Sequence, residues 1–175
     1  MTGGGILVSV GVLRVTGMGP ESNKEFYMKK SDLEYETDEF KTLIARTAYS
    51  YKRATDRYLE LVDTWKSFSP DLFGGEVSLE LELKQPQVSG IVIGKKFNIR
   101  SSLFISNQAV YLRAAITVRD DLIDNESEIG SFLISSNGSV HSEDGELLID
   151  RNQHMIEYSL LVAVLRRVLG LTAKG

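Results

Sequence analysis

The segment from Thr16 to Ser22 has the residue types best suited to chemistry in this chain. It reads Thr-Gly-Met-Gly-Pro-Glu-Ser and follows a β-branched run, Ile6–Val15, that favours a strand. A strand entering a G-x-G-x-x-S turn can cradle phosphate on backbone N–H groups. Gly17, Gly19 and Ser22 are therefore candidate ligand-binding residues, but we favour the alternative, a plain glycine-rich turn.

A second candidate is the acidic string Asp120-Asp121-Leu122-Ile123-Asp124. Carboxylates at this spacing suit a hard cation, so Asp120, Asp121 and Asp124 are candidate metal ligands. A solvated acidic connection running on to Glu128 is the alternative, and we favour it. We predict no bound metal and no cofactor.

Both strings resemble known motifs. Thr16–Gly19 looks like the phosphate-loop segment of nucleoside phosphorylases, which are larger α/β proteins. Asp120–Asp124 looks like the magnesium-binding D-D-x-x-D string of prenyl-diphosphate synthases, where it lies on a helix. These resemblances imply a small enzyme or ligand-binding protein only if the two segments converge in one pocket.

The other chemistry-bearing residues form no complete constellation. His141 and His154 are the only histidines, the chain has no cysteine, and no G-x-S-x-G elbow is present. Whether the protein is an enzyme is left open, with a non-enzymatic protein favoured. Its net charge of −4 argues against a nucleic-acid binder. That function would need six basic residues on one face, Lys52, Arg53, Arg57, Lys95, Lys96 and Arg100.

A long amphipathic helix is the clearest element that the sequence predicts. Its apolar face recurs at spacings of four and three residues from about Phe40 to Phe68, where Ser69-Pro70 is expected to end it. One small sheet would not easily cover so long a face. We therefore predict that part of it meets another chain, through Tyr51, Tyr58, Leu61 and Trp65.

The second half of the chain predicts an antiparallel sheet. Apolar and polar residues alternate from Glu76, and further strands are expected at Val88–Ile93, Phe97–Ile105 and Val110–Val118. An acidic connection should follow from Asp120 to Glu128. Asn137-Gly138 predicts a type I′ hairpin turn. A helix from about Asn152 to Leu169, apolar on nearly all sides and capped by Asp150 and Gln153, closes the chain.

The predicted fold class is α+β, an antiparallel β-meander packed against one long helix in the N-terminal half and one buried C-terminal helix. We expect one domain over residues 1–175, with residues 1–5 flexible and residues 21–36 mostly connecting. The order of elements resembles the acidic domains of type III secretion chaperones and YbjN-like proteins, from Gly130–Ile134 through Asn137-Gly138 to the closing helix. That resemblance implies partner binding.

The function predicted from the sequence is non-enzymatic partner binding of a chaperone, immunity or adaptor type, through apolar helical surface. The alternative is a small enzyme or ligand-binding protein that uses Gly17–Ser22 and Asp120–Asp124. The expected partner is another protein chain, most simply a second copy. The Ile6–Val15 run is too short to cross a bilayer, so we expect no membrane association and a cytoplasmic location.

Overall fold

The computed structural model describes residues 28–82, 86–120 and 125–171. The chain divides into two units between Tyr35 and Glu36. In the first unit the described residues hold one 3-10 turn, Lys30–Leu33, in which the Asp32 carboxylate accepts a hydrogen bond from the Lys29 N–H. The Ile6–Val15 strand prediction lies outside the described residues, and the single-domain prediction stays a prediction.

The second unit begins with helix α1, Thr37–Leu72, which extends further than predicted. Pro70 lies inside its last turn. A proline there removes only one intrahelical hydrogen bond, and the turn stays closed because the Phe73 N–H donates to the Ser69 carbonyl at 3.0 Å. Positive φ angles at Gly74 and Gly75 then end the helix.

The sheet has seven antiparallel strands in sequence order, within the described residues. They are β1 Val77–Glu82, β2 Gln87–Val92, β3 Lys95–Ser106, β4 Ala109–Asp120, β5 Asn125–Ser135, β6 Val140–His141 and β7 Leu147–Ile149. The α+β class and the antiparallel meander are confirmed. The predicted acidic connection from Asp120 to Glu128 is wrong, because β5 already begins at Asn125 and pairs with the end of β4.

Two of the hairpin turns contain residues with positive φ angles. Asn107 and Gln108 both have positive φ between the paired residues Ser106 and Ala109, as a type I′ turn requires. Asn137-Gly138 does mark a hairpin, but only Gly138 has positive φ there, and its N–H donates to the Ser135 carbonyl at 2.9 Å. This is a longer three-residue loop and not the predicted type I′ turn.

One face of the sheet forms the core with both helices. Cross-strand partners such as Ile99 and Ile116 point their side chains to this face, where α1 and α2 pack. Helix α2 is Ile156–Leu169, shorter than predicted. Its predicted capping box does not form, because the Asp150 carboxylate accepts instead from the Asn152 N–H in a preceding turn.

Burial of α2 is also more one-sided than its composition suggested. Its buried side chains lie on one face, Leu160, Leu161, Val164, Leu165 and Val168. Ala163, Arg166 and Arg167 are exposed on the other. The C-terminal helix is thus packed in the core as predicted, through the one face that the sheet covers, although its apolar residues extend beyond that face.

Candidate protein-binding surface

The four side chains predicted to contact a partner lie mostly in the chain's own core. Tyr58 and Trp65 are 0% exposed and Leu61 is buried, while Tyr51 is half-buried against the same cluster. Three of the four are therefore closed to another chain. The 4-3 spacing identified the correct helix face, but the sheet covers the stretch of that face in which these residues lie.

The buried part of α1 is tied into the fold by polar as well as apolar contacts. The Trp65 indole Nε1–H donates to the Glu157 carbonyl at 2.7 Å. The Tyr58 hydroxyl has no hydrogen-bond partner among the described residues, and burial raises the pKa of this group well above its ordinary value. These residues hold α1 to the sheet and to α2, which is a structural role.

The accessible part of the same apolar face lies in the N-terminal half of α1. Ala54 is the first buried residue of the helix, and we call Thr37–Arg53 the α1 arm. The arm is roughly 25 Å long at about 1.5 Å per residue. Leu43 is 57% exposed and Ile44 52%, and Phe40 is about half exposed one turn earlier. These apolar side chains are therefore accessible along one face of the helix within the described residues.

The arm leaves the sheet at a defined end. A Cβ atom on Gly138 would lie 3.6 Å from the Arg57 side chain, so α1 passes over the β5–β6 loop just beyond the arm. Because Ser135 pairs with Tyr111, the β3–β4 turn lies at this same end. Leu103 and Ile105, near that turn, are 47% and 54% exposed. The arm and this hairpin tip place apolar side chains at one end of the unit.

The arm has acidic residues only in its first turn, whereas its basic residues, Lys41, Arg46, Lys52 and Arg53, are spread along its length. Asp38 and Glu39 stand in the first turn, and Lys52 and Arg53 stand at the other end. The Lys41–Asp38 and Lys52–Asp56 pairs, at 3.2 and 3.0 Å, are exposed ion pairs within the helix. Such pairs contribute little and leave these charges available to another chain.

The opposite face of the sheet carries a network of paired charges. Arg113 contacts both Glu128 and Glu143, and Glu143 also accepts a hydrogen bond from Ser131 at 2.6 Å. These hydrogen bonds, from Ser131 first and then Arg113, lower the pKa of Glu143. A carboxylate that is paired and easily ionised is a poor general base at neutral pH. Through Glu143, the network therefore holds the β6–β7 loop against strands β4 and β5.

A parallel set of contacts holds Glu126 on the same face. Its carboxylate accepts from the Thr117 hydroxyl and contacts Arg100, and these contacts, with Thr117 the larger, lower the pKa of Glu126. His141 is half-buried on β6, toward the other end of β4, with the Tyr111 ring 5.4 Å from its own. Its Nδ1 has no hydrogen-bond partner in the described part of the chain.

Most of the residues that the sequence predicted to bind a ligand or a metal lie outside the described part of the chain, and Asp120 lies within it. Gly17, Gly19, Ser22, Asp121 and Asp124 lie outside the described residues, so the phosphate and cation predictions stay predictions. Asp120 ends β4 opposite Asn125. Among residues 28–82, 86–120 and 125–171, no three histidine or acidic side chains are grouped to hold a metal ion.

The structure does not bring together the basic residues that a nucleic-acid function would need. Lys95 and Lys96 begin β3, whereas Arg57 lies by the β5–β6 loop at the other end of the sheet. At roughly 3.3 Å per residue, the two ends of β3 are about 35 Å apart. Arg57 is also paired with Glu60 at 2.6 Å, and Arg100 with Glu126.

No family model, curated protein or solved structure matches this chain. No helix in the described part of the chain has both the length and the apolar character to cross a membrane. The arm is therefore the candidate site that rests on the chain's own geometry.

Proposed function

We propose that this protein is a non-enzymatic protein-binding protein and that the α1 arm is its binding element. The observation that carries the proposal is the run of exposed apolar side chains, Leu43 and Ile44 above all, on the same helix face that is buried from Ala54 onwards. The same face of α1 is therefore packed in the core in the C-terminal half of the helix and exposed in the N-terminal half.

A partner would also stabilise the arm itself. The arm continues a helix that the core already holds, but its own apolar face lacks the tertiary packing that supplies most of a helix's stability. Recognition of an amphipathic helix uses anchors at i, i+3, i+4 and i+7. Leu43 and Ile44, followed by Thr47, Ser50 and Tyr51, match that spacing.

The wider role that we propose is of a chaperone, immunity or adaptor type, with a protein chain as partner and a homo-oligomer as its simplest form. Such proteins act by presenting a surface, and the described residues hold no assembled catalytic group that would compete with this proposal. We further propose a cytoplasmic location, since a chain without cysteine has no disulfide to lose in a reducing compartment.

Site-specific photo-crosslinking tests the proposal. A photoreactive amino acid is placed at Ile44, on the apolar face, or at Tyr49, which is 64% exposed and lies on the other side of the arm. We expect a specific protein adduct from position 44 and not from position 49. The trapped chain, once purified, should bind wild type in titration calorimetry and lose affinity for Ile44→Glu. Equal adducts from both positions, or none from either, would contradict the proposal.

A further inference from the structure

The β2–β3 turn carries an unexpected type of residue. Val92 pairs with Lys95, so Ile93 and Gly94 form a two-residue turn, and their φ angles are 48° and 78°. Turns of this kind favour asparagine, aspartate and glycine, because these residues accept positive φ easily. A β-branched side chain is strained there, and Ile93 is 67% exposed. Neither turn formation nor burial in the core therefore accounts for an isoleucine at this position.

Ile93 lies at the rim of an apolar cavity of about 340 Å³. The cavity is formed where both helices end beside the first two strands. Of the described residues that line it, seven are apolar and two are charged. The buried part of its lining is Val77 of β1, Val92 of β2 and Leu165 of α2, and half-buried Phe73, Val162 and Leu169 continue it.

The size and lining of this cavity suit a small molecule. Ligand pockets in proteins have volumes of about 300 to 1,000 Å³ and are lined mostly by apolar side chains. A space of this size has room for on the order of ten water molecules. Against apolar walls such water finds few hydrogen-bond partners, so its displacement by an apolar group is favourable.

The two charged residues of the lining indicate which ligands the cavity favours. Glu76 and Arg166 carry opposite charges, so together they select neither an anion nor a cation. A charged group would also lose hydration against the apolar walls. We propose that this cavity binds a small uncharged molecule through an aliphatic or aromatic group.

The strained turn then has a function in binding. With a ligand in the cavity, the exposed side chain of Ile93 gains an apolar contact that the unliganded fold does not give it. Backbone strain of this kind is concentrated at ligand-binding sites, where stability is exchanged for function. The cavity lies by the β2–β3 turn, at the opposite end of β3 from the arm, so this inference does not rest on the proposed function.

Three probes with the same octyl chain test the proposal by nuclear magnetic resonance titration of the full chain. They are 1-octanol, octylammonium and octanoate. We expect 1-octanol to shift the amide resonances of Ile93 and Leu165 saturably, with a dissociation constant several-fold lower than that of either ion. Ile93→Gly should weaken the binding of 1-octanol several-fold although it raises the melting temperature. Ile105→Ala, which changes an exposed isoleucine by the β3–β4 turn, should bind like wild type.

A further variant keeps the test independent of the turn. Val162→Phe places a larger side chain in the cavity and should prevent the shifts in a folded protein. Shifts that do not saturate, or that are equally large at Leu103 and Ile105, would overturn the cavity as a binding site. Tighter binding of either ion would overturn the uncharged class of ligand. Wild-type affinity in Ile93→Gly would overturn the function of the strained turn.

Discussion

Trp65, two turns before the end of α1, donates its indole N–H to the backbone carbonyl of Glu157, in the first turn of α2, at 2.7 Å. The two residues are far apart in sequence, and their contact joins the two helices over the sheet. Trp65 is 0% exposed and Glu157 is half-buried, so this bond lies at the edge of the core. It marks the second half of α1 as a structural element, distinct from the arm that precedes it.

Replacing Trp65 with Phe should destabilise the fold. The ring would still fill much of the space, but the Glu157 carbonyl would lose its side-chain donor in a partly buried site. We expect a loss of about 1 to 3 kcal/mol in the free energy of unfolding, measured by urea denaturation. Thr64→Ala, an exposed neighbour on α1, is the control. Equal midpoints for Trp65→Phe and wild type would show that the bond contributes nothing.

Replacing Ile93 with Gly should stabilise the protein. Ile93 has a φ of 48° in the β2–β3 turn and is 67% exposed, so a β-branched residue occupies a left-handed conformation without compensating burial. Relief of that strain should raise the unfolding free energy by roughly 1 kcal/mol. Ile91→Gly is the matched control, since Ile91 lies in the extended strand β2 and its replacement should lower stability. A lower melting temperature for Ile93→Gly would refute the strain argument.

Gly90→Ala should weaken the sheet. A Cβ atom at Gly90 would lie 2.3 Å from the ring of Phe97, its partner across β2 and β3. The ring must move, and overpacking of this kind costs about 1 to 3 kcal/mol. Ser78→Ala, on the outward face of β1, should change little. The melting temperatures of the two variants, measured by thermal unfolding, test this difference. An unchanged melting temperature for Gly90→Ala would show that the Phe97 ring moves aside at little cost.

The contacts of the Glu143 carboxylate with Ser131 and Arg113 should make the stability of the fold depend on pH. The pKa of this carboxylate is lowered in the folded state below the ordinary value of 4.5. Its contribution is therefore fully present above that value and is lost as the pH falls through the lowered pKa. Wild type should exceed Glu143→Gln in urea midpoint at neutral pH, and the difference should shrink in acid. Glu146→Gln, on the same loop, is the control. A pH-independent difference would assign the effect to packing instead.

Local patterns were sufficient for much of the fold. The alternation from Val77 to Leu81 predicted β1, and the 4-3 spacing predicted α1, because each pattern reports a period fixed by backbone geometry. Pro70 was misjudged, since a proline in a last turn removes only one hydrogen bond. The end of the helix is set by Gly74 and Gly75 instead.

Features that depend on distant partners could not be predicted in this way. The acidic run at the start of β5 resembled a loop because its neutralising residues, Arg100 and Arg113, lie on β3 and β4. The partner-binding residues predicted on α1 proved mostly buried for a related reason. Tyr58 and Trp65 share the apolar face of α1 with Ile44, and only the position of the sheet decides which stretch is covered.

Hydrogen exchange of the arm amides, followed over a range of protein concentrations, tests the central claim most directly. The account predicts fast exchange around Ile44 in dilute wild type and slower exchange when the protein is concentrated, while amides around Val62 stay protected throughout. Arm amides as protected as those of the core at every concentration would show that the chain covers its own arm. That result would contradict the account.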